Sequence, residues 1–203
     1  MIREWAKALA RGVAAVLVAP ELLSFWLRAR LLGRDQALQG SSQLLALVPG
    51  LLGQYLRRAF YTRTLRYCHP SVTIEAGAFL TKADARLEAN VYVGPRCQLG
   101  LVHIECDVLL AAGVHVPSGG QTHGIADPTA PIREQPGKPR VVRIGAGSWV
   151  GSAAVVMADV GRNTVVGAGA VVTRPLPDWV VAVGAPARVV RERPQRGDEP
   201  SPR

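Results

Sequence analysis

Residues 144–172 read Ile-Gly-Ala-Gly-Ser-Trp-Val-Gly-Ser-Ala-Ala-Val-Val-Met-Ala-Asp-Val-Gly-Arg-Asn-Thr-Val-Val-Gly-Ala-Gly-Ala-Val-Val. Ile144, Val150 and Val156 are six apart, and so are Val160, Val166 and Val172. The same beat runs through Leu87, Val93 and Leu99, and through Ile104, Leu110 and Val116. A helix repeats near 3.6 residues and a strand near 2. A period of six fits a chain that turns a corner every six residues and stacks on itself, aiming each aliphatic residue at a common axis. Small residues follow the beat at Gly94, Gly100, Ala111, Gly145, Gly151, Gly161 and Gly167, where a sharp turn makes a Cβ costly. The beat slips between Leu99 and Ile104 and between Val156 and Val160, and both slips read as shortened corners.

Residues 117–143 leave the beat altogether. They hold Gly119-Gly120, Pro128, Pro131, Pro136, Pro139 and the one histidine of the segment, His123. A loop this long inside a compact repeat is usually functional.

The chain of 203 residues carries a formal charge of +9, with 48% hydrophobic and 5% aromatic residues. Few aromatics suit a thin solenoid filled by Val, Ile, Leu and Ala. Residues 1–67 hold a net +7, leaving +2 for the rest. Such a segment suits an anionic membrane surface, a phosphorylated substrate or a solvated helical face. Nucleic acid is not expected, because no helix-turn-helix, zinc finger or aromatic RNA-reading motif is present. Cys68, Cys97 and Cys106 form no CxxC pair and read as buried reduced thiols, which suits a cytoplasmic location.

Residues 1–33 read as a helix ending at Gly33. Arg3, Lys7 and Arg11 precede the apolar stretch Val13–Pro20, which is too short for a membrane span. It lies on the inner face of a membrane as a basic amphipathic helix, or it packs on the solenoid. Gly40-Ser41-Ser42 reads as a break, Pro49 as the first turn of a third helical stretch, and His69-Pro70 as the switch to extended structure. The organisation is therefore a basic helical extension over 1–67, a solenoid over 68–187 with its loop at 117–143, and a short basic helix and disordered tail over 188–203.

Three stretches then resemble the hexapeptide-repeat acyltransferases: Ile144-Gly-Ala-Gly-Ser-Trp-Val-Gly, Val165-Val-Gly-Ala-Gly-Ala-Val-Val-Thr and Val181-Ala-Val-Gly-Ala-Pro-Ala-Arg-Val. Thr122-His-Gly-Ile-Ala-Asp-Pro-Thr-Ala-Pro-Ile is similar to the catalytic loop of the sugar and exopolysaccharide O-acetyltransferases. The resemblance covers about residues 70–192. It implies a mainly β fold, a left-handed parallel β-helix, assembled as a homotrimer with active sites between subunits. The helical extension looks more like that of cell-surface polysaccharide acyltransferases.

The implied chemistry moves an acetyl group from acetyl-CoA to a hydroxyl of a surface or exported polysaccharide or its lipid-linked saccharide precursor. That step needs a base near neutral pKa, and the resemblance gives this role to His123. Asp127 fixes the histidine tautomer or holds the loop. Trp149 flanks the CoA arm or packs between subunits. Ser152, Gly167 and Ala168 lie on corners where a pantetheine chain can bond the backbone, and Arg188 meets CoA phosphates or is solvated charge. Arg133 touches the acceptor or pairs with Glu134, and His103 falls on a short step near the site. No metal is expected, since His103, His115 and His123 lack the His-x4-His spacing of the zinc carbonic anhydrases built on such solenoids. The rival reading is a non-catalytic trimeric scaffold docked at the membrane by residues 1–67.

Overall fold

In the computed structural model, which describes residues 2–194, three helices precede a parallel coil of short strands. The helices are α1 (Ile2–Leu32), α2 (Arg34–Ala46) and α3 (Gly50–Thr64). The strands form three faces. The first holds β1 (Tyr67–Cys68), β4 (Arg86–Leu87), β7 (Val102–Ile104) and β10 (Val142–Ile144). The second holds β2 (Thr73–Ile74), β5 (Tyr92–Val93), β8 (Leu109–Leu110), β11 (Trp149–Val150), β13 (Val165–Val166) and β15 (Val180–Val183). The third holds β3 (Phe79–Leu80), β6 (Gln98–Leu99), β9 (His115–Val116), β12 (Val155–Val156) and β14 (Val171–Val172). Each strand pairs in parallel with its counterpart one coil away, so the beat residues stack into a buried column on each face.

Two of the three corners keep a spacing of six in every coil, and all irregularity falls on the third. From the third face back to the first, the chain takes seven residues between Leu80 and Leu87 and five between Leu99 and Ile104. It takes four between Val156 and Val160 and four between Val172 and Leu176, both of which bridge onto the first face. The long loop opens at this same corner, between Val116 and Ile144.

The corner glycines work differently from the sequence expectation. At the two regular corners a left-handed residue stands third after the beat residue, as at Asn90, Arg96, Asp107, Gly147, Ala153 and Asn163. The small residue directly after the beat is required by stacking. A Cβ on Gly151 would stand 2.5 Å from the Ala168 nitrogen of the next coil. Register also corrects the cysteine reading. Cys68 and Cys97 point inward and are buried, whereas Cys106, second in its corner, points out and is exposed.

Helices α2 and α3 close the open end of the coil, as a solenoid requires. The Gly77 N–H donates to the Ala46 carbonyl at 2.9 Å, and the Leu80 N–H to Ser42 Oγ at 2.8 Å. No break occurs at Gly40–Ser42. The helix continues because Ser41 and Ser42 are buried with satisfied hydroxyls, on the Ala37 carbonyl and on Tyr61 and Leu80. Helix α1 ends at Gly33 as expected, with φ +85° there. It buries Ala14, Val18 and Phe25, and it bends by 46° beside Pro20, whose ring clashes with the preceding turn. Pro49 stands just before α3 as its N-cap.

The expected C-terminal helix is instead β16 (Arg188–Glu192), antiparallel to β15. Val189 and Val190 favour a pleated surface, and the turn at Gly184-Ala-Pro186 returns the chain along the open edge of β15. The tail expected to be disordered, beyond residue 194, lies outside the described residues.

Candidate active site

The loop is a two-armed structure braced at its base. The Lys138 N–H donates to the Gln121 carbonyl at 2.7 Å, the Arg140 N–H to the Ser118 carbonyl at 2.8 Å, and the Gly124 N–H to the Gln135 carbonyl at 3.3 Å. Arg140 ties the base to the coil through Asp159 at 3.3 Å. His123 lies on the outgoing arm opposite Gly137, where a Cβ would run into the Thr122 carbonyl. Its side chain is exposed.

Asp127 holds the loop. Its Oδ1 accepts from the Thr129 hydroxyl at 2.6 Å and from the Thr129 N–H at 2.8 Å. Gln135 braces its backbone from both sides, donating to the carbonyl and accepting from the N–H. The two Thr129 bonds keep the Asp127 carboxyl below its ordinary range. Arg133 pairs with neighbouring Glu134 at 3.4 Å, and both are well exposed.

The remaining candidates fall into two groups at different edges of the triangular coil. Trp149 is half exposed on the second face, in an outward ladder with Leu109 below and Val165 above. Ser152, Gly167 and Ala168 stack at the next corner, between the second and third faces, where the Gly169 N–H donates to the Ser152 carbonyl at 2.8 Å. The amides of Ser152 and Ala168 have no acceptor within the described residues, so this edge offers free N–H donors in register. Arg188 begins β16 beside Val183, at the top of the same face. His123 and the loop leave from the opposite edge of the third face.

On the first face lies a charged groove that the sequence did not single out. A depression of about 520 Å³ is lined by Tyr67, Glu88, His103, Glu105, Cys106 and Arg162, and it adjoins a second of about 330 Å³ that reaches Arg143, Asp159 and Asp178. His103 points into the groove from β7, its Nε2 3.2 Å from Glu88. Glu105 occupies the corner position that is glycine two coils on, at Gly161. Its carboxylate accepts from Arg143 Nε at 2.6 Å and from the Ala146 N–H at 2.9 Å, with Arg162 at 3.6 Å. Partial burial alone raises this carboxyl; the Ala146 N–H and the two guanidiniums outweigh it and hold it below the ordinary range. An acid where the corner pattern allows glycine, with arginine and histidine in outward register beside it, was the available signal. His115 lies on the third face, on the strand that leads into the loop, and His103 lies on the first.

No family model matches the chain. It is 42% identical over 73 residues to the probable acetyltransferase Rv3034c of Mycobacterium tuberculosis, covering 35% of this chain and 24% of that protein. It is 47% identical over 53 residues to the galactoside O-acetyltransferase of Escherichia coli, covering 25% of this chain and 26% of that one. The chain thus spans about a quarter of the length of these relatives. Among solved structures, a maltose O-acetyltransferase from Clostridium difficile superposes with a TM-score of 0.65 at 19% identity, over 79% of this chain and 85% of that one. The N-acyltransferase AntD from Bacillus cereus, with dTDP and coenzyme A, superposes at 0.53 and 17% identity over 66% and 80%. The fold is the left-handed parallel β-helix. Over part of its length the chain is similar in sequence to acetyltransferases, and it shares its fold with the maltose O-acetyltransferase.

Proposed function

We propose that the protein is an O-acyltransferase that carries an acetyl group from acetyl-CoA to a sugar hydroxyl, on a surface or exported polysaccharide or its lipid-linked precursor. The observation that carries this reading is His123, an exposed imidazole on a braced loop that leaves an otherwise uninterrupted coil. In the reaction, the sugar oxygen attacks the thioester carbonyl carbon while its proton passes to the His123 imidazole. The tetrahedral intermediate then collapses, the C–S bond breaks, and the imidazolium returns the proton to the leaving thiolate. An ester and free CoA result.

Trp149 and the free amides of Ser152 and Ala168 fit the arm of CoA, whose pantetheine amides need such partners; Arg188 supplies positive charge for its phosphates. The loop residues Asp127 and Arg133 and the groove residue His103 form the acceptor side. The two groups leave the coil at different edges, so one chain cannot close the site by itself. A cyclic homotrimer brings the loop of one subunit beside the amide-bearing edge of the next, and the outward apolar ladder of exposed Leu109 and Trp149 with half-buried Val165 suits burial in such an assembly. An enzyme acting on such acceptors works in the cytoplasm at the inner face of the membrane.

Purified protein mixed with acetyl-CoA and candidate oligosaccharides should release thiol and give a product heavier by one acetyl group. The rival non-catalytic scaffold predicts no thiol release with any acceptor.

A further inference from the structure

Helix α1 presents apolar residues on both sides. One stripe, Ala14, Val18 and Phe25, packs inward. The opposite side carries Leu9 and Val16, each more than 70% exposed, together with Leu17, Leu23, Leu27 and Leu31. A continuous apolar surface of this kind marks a contact with something else. Charge decides what. Between α1 and α3 lies a cavity of about 420 Å³ lined by Arg11, Arg58, Arg63, Tyr55, Thr62 and Pro70. Arg58 stacks over the Tyr55 ring at 4.6 Å, and no carboxylate among the described residues pairs with Arg58 or Arg63. The same span of α1 that lends Arg11 also forms an apolar groove of about 510 Å³ from Leu9, Gly12, Val13, Val16 and Leu17.

Three guanidiniums beside an apolar groove match a phospholipid, in which an anionic phosphate is joined to acyl chains. A second copy of this face would set arginines against arginines, which like-charge repulsion opposes. Among the described residues no single helix is long and apolar enough to cross a membrane. We propose that α1 lies in the headgroup layer of an anionic bilayer, with Leu9–Leu17 in the acyl boundary and a lipid phosphate held by Arg11, Arg58 and Arg63. This inference does not depend on the acyl-transfer reading.

The test is flotation of the full-length protein with phosphatidylcholine vesicles and with phosphatidylcholine vesicles containing phosphatidylglycerol. The protein should float with the anionic vesicles, and less so as salt is raised. R58Q/R63Q should weaken binding roughly thirtyfold, from about one basic side chain's worth of surface attraction per residue. L9S/V16S should abolish flotation at all salt concentrations. Both variants change exposed or half-exposed positions and should melt with wild-type protein. Equal binding to both vesicle types, or unchanged binding by R58Q/R63Q, would overturn the proposal. So would an absence of flotation in which L9S/V16S dissociates a larger oligomer, which would give this face to a second copy.

Discussion

Arg57 Nε donates to the Ile74 carbonyl at 2.9 Å from a side chain with no solvent exposure. The same guanidinium reaches the Leu45 carbonyl at 2.8 Å and the Val48 carbonyl at 2.7 Å. It therefore joins α3 to the end of α2 and to the first coil. Burial lowers its pKa, the Tyr61 and Glu75 charges opposing that shift.

Arg57→Ala should cost about 3 kcal/mol or more, because two buried carbonyls and the half-buried Val48 carbonyl lose a charged donor at once. Denaturant unfolding of the full chain measures this. A loss below about 0.5 kcal/mol, the size of an ordinary surface change, would show that the helices do not depend on this side chain for docking.

The corner register predicts opposite effects two residues apart. Gly151→Ala drives a methyl group into the next coil and should destabilise by about 1–3 kcal/mol, as overpacking does. Ala153 stands at φ +57°, so Ala153→Gly relieves a strained backbone and should be neutral or stabilising within about 1 kcal/mol. Thermal melts of the two variants check the contrast, and the reverse order would put the turn in the wrong place.

Much of this was legible in the sequence because a stacked coil repeats its inward residue at fixed spacing; Leu87, Val93 and Leu99 announce their column directly. What spacing does not report is which corner absorbs the slips, since Leu99–Ile104 and Val156–Val160 look alike whether they share an edge or not. Gly40–Ser42 misled because the hydroxyl partners of Ser42, Tyr61 and Leu80, are distant in sequence. Arg188–Glu192 misled because its strand needs the open edge of β15 beside it. At the candidate site, His123 was visible as the histidine of the interrupting loop. The Glu105 groove was not, because its arginines arrive from two other coils.

Glu105 gives a pH dependence. Its folded pKa lies below its unfolded value, so its contribution is complete above the unfolded pKa and is lost as pH falls through the folded one. The stability gap between wild type and Glu105→Gln should be constant near neutrality and narrow on acidification. Urea titrations at several pH values read it, and a gap that widens in acid would contradict the assignment.

The thiols should separate cleanly. Cys106 is exposed, whereas burial pushes Cys68 up to about 12 and Cys97 up to about 11. A chromogenic disulfide reagent at mildly alkaline pH should label one thiol quickly in the folded protein and all three after denaturation. Rapid labelling of all three without denaturant would contradict the inward register of Cys68 and Cys97.

The most direct measurement is acetyl-CoA turnover by His123→Ala beside wild type, with an acceptor that wild type uses. A general base predicts a fall in kcat of about 10²–10⁴ with an unchanged melting temperature, since the ring is exposed. Turnover equal to wild type would contradict the central claim that this imidazole takes the proton.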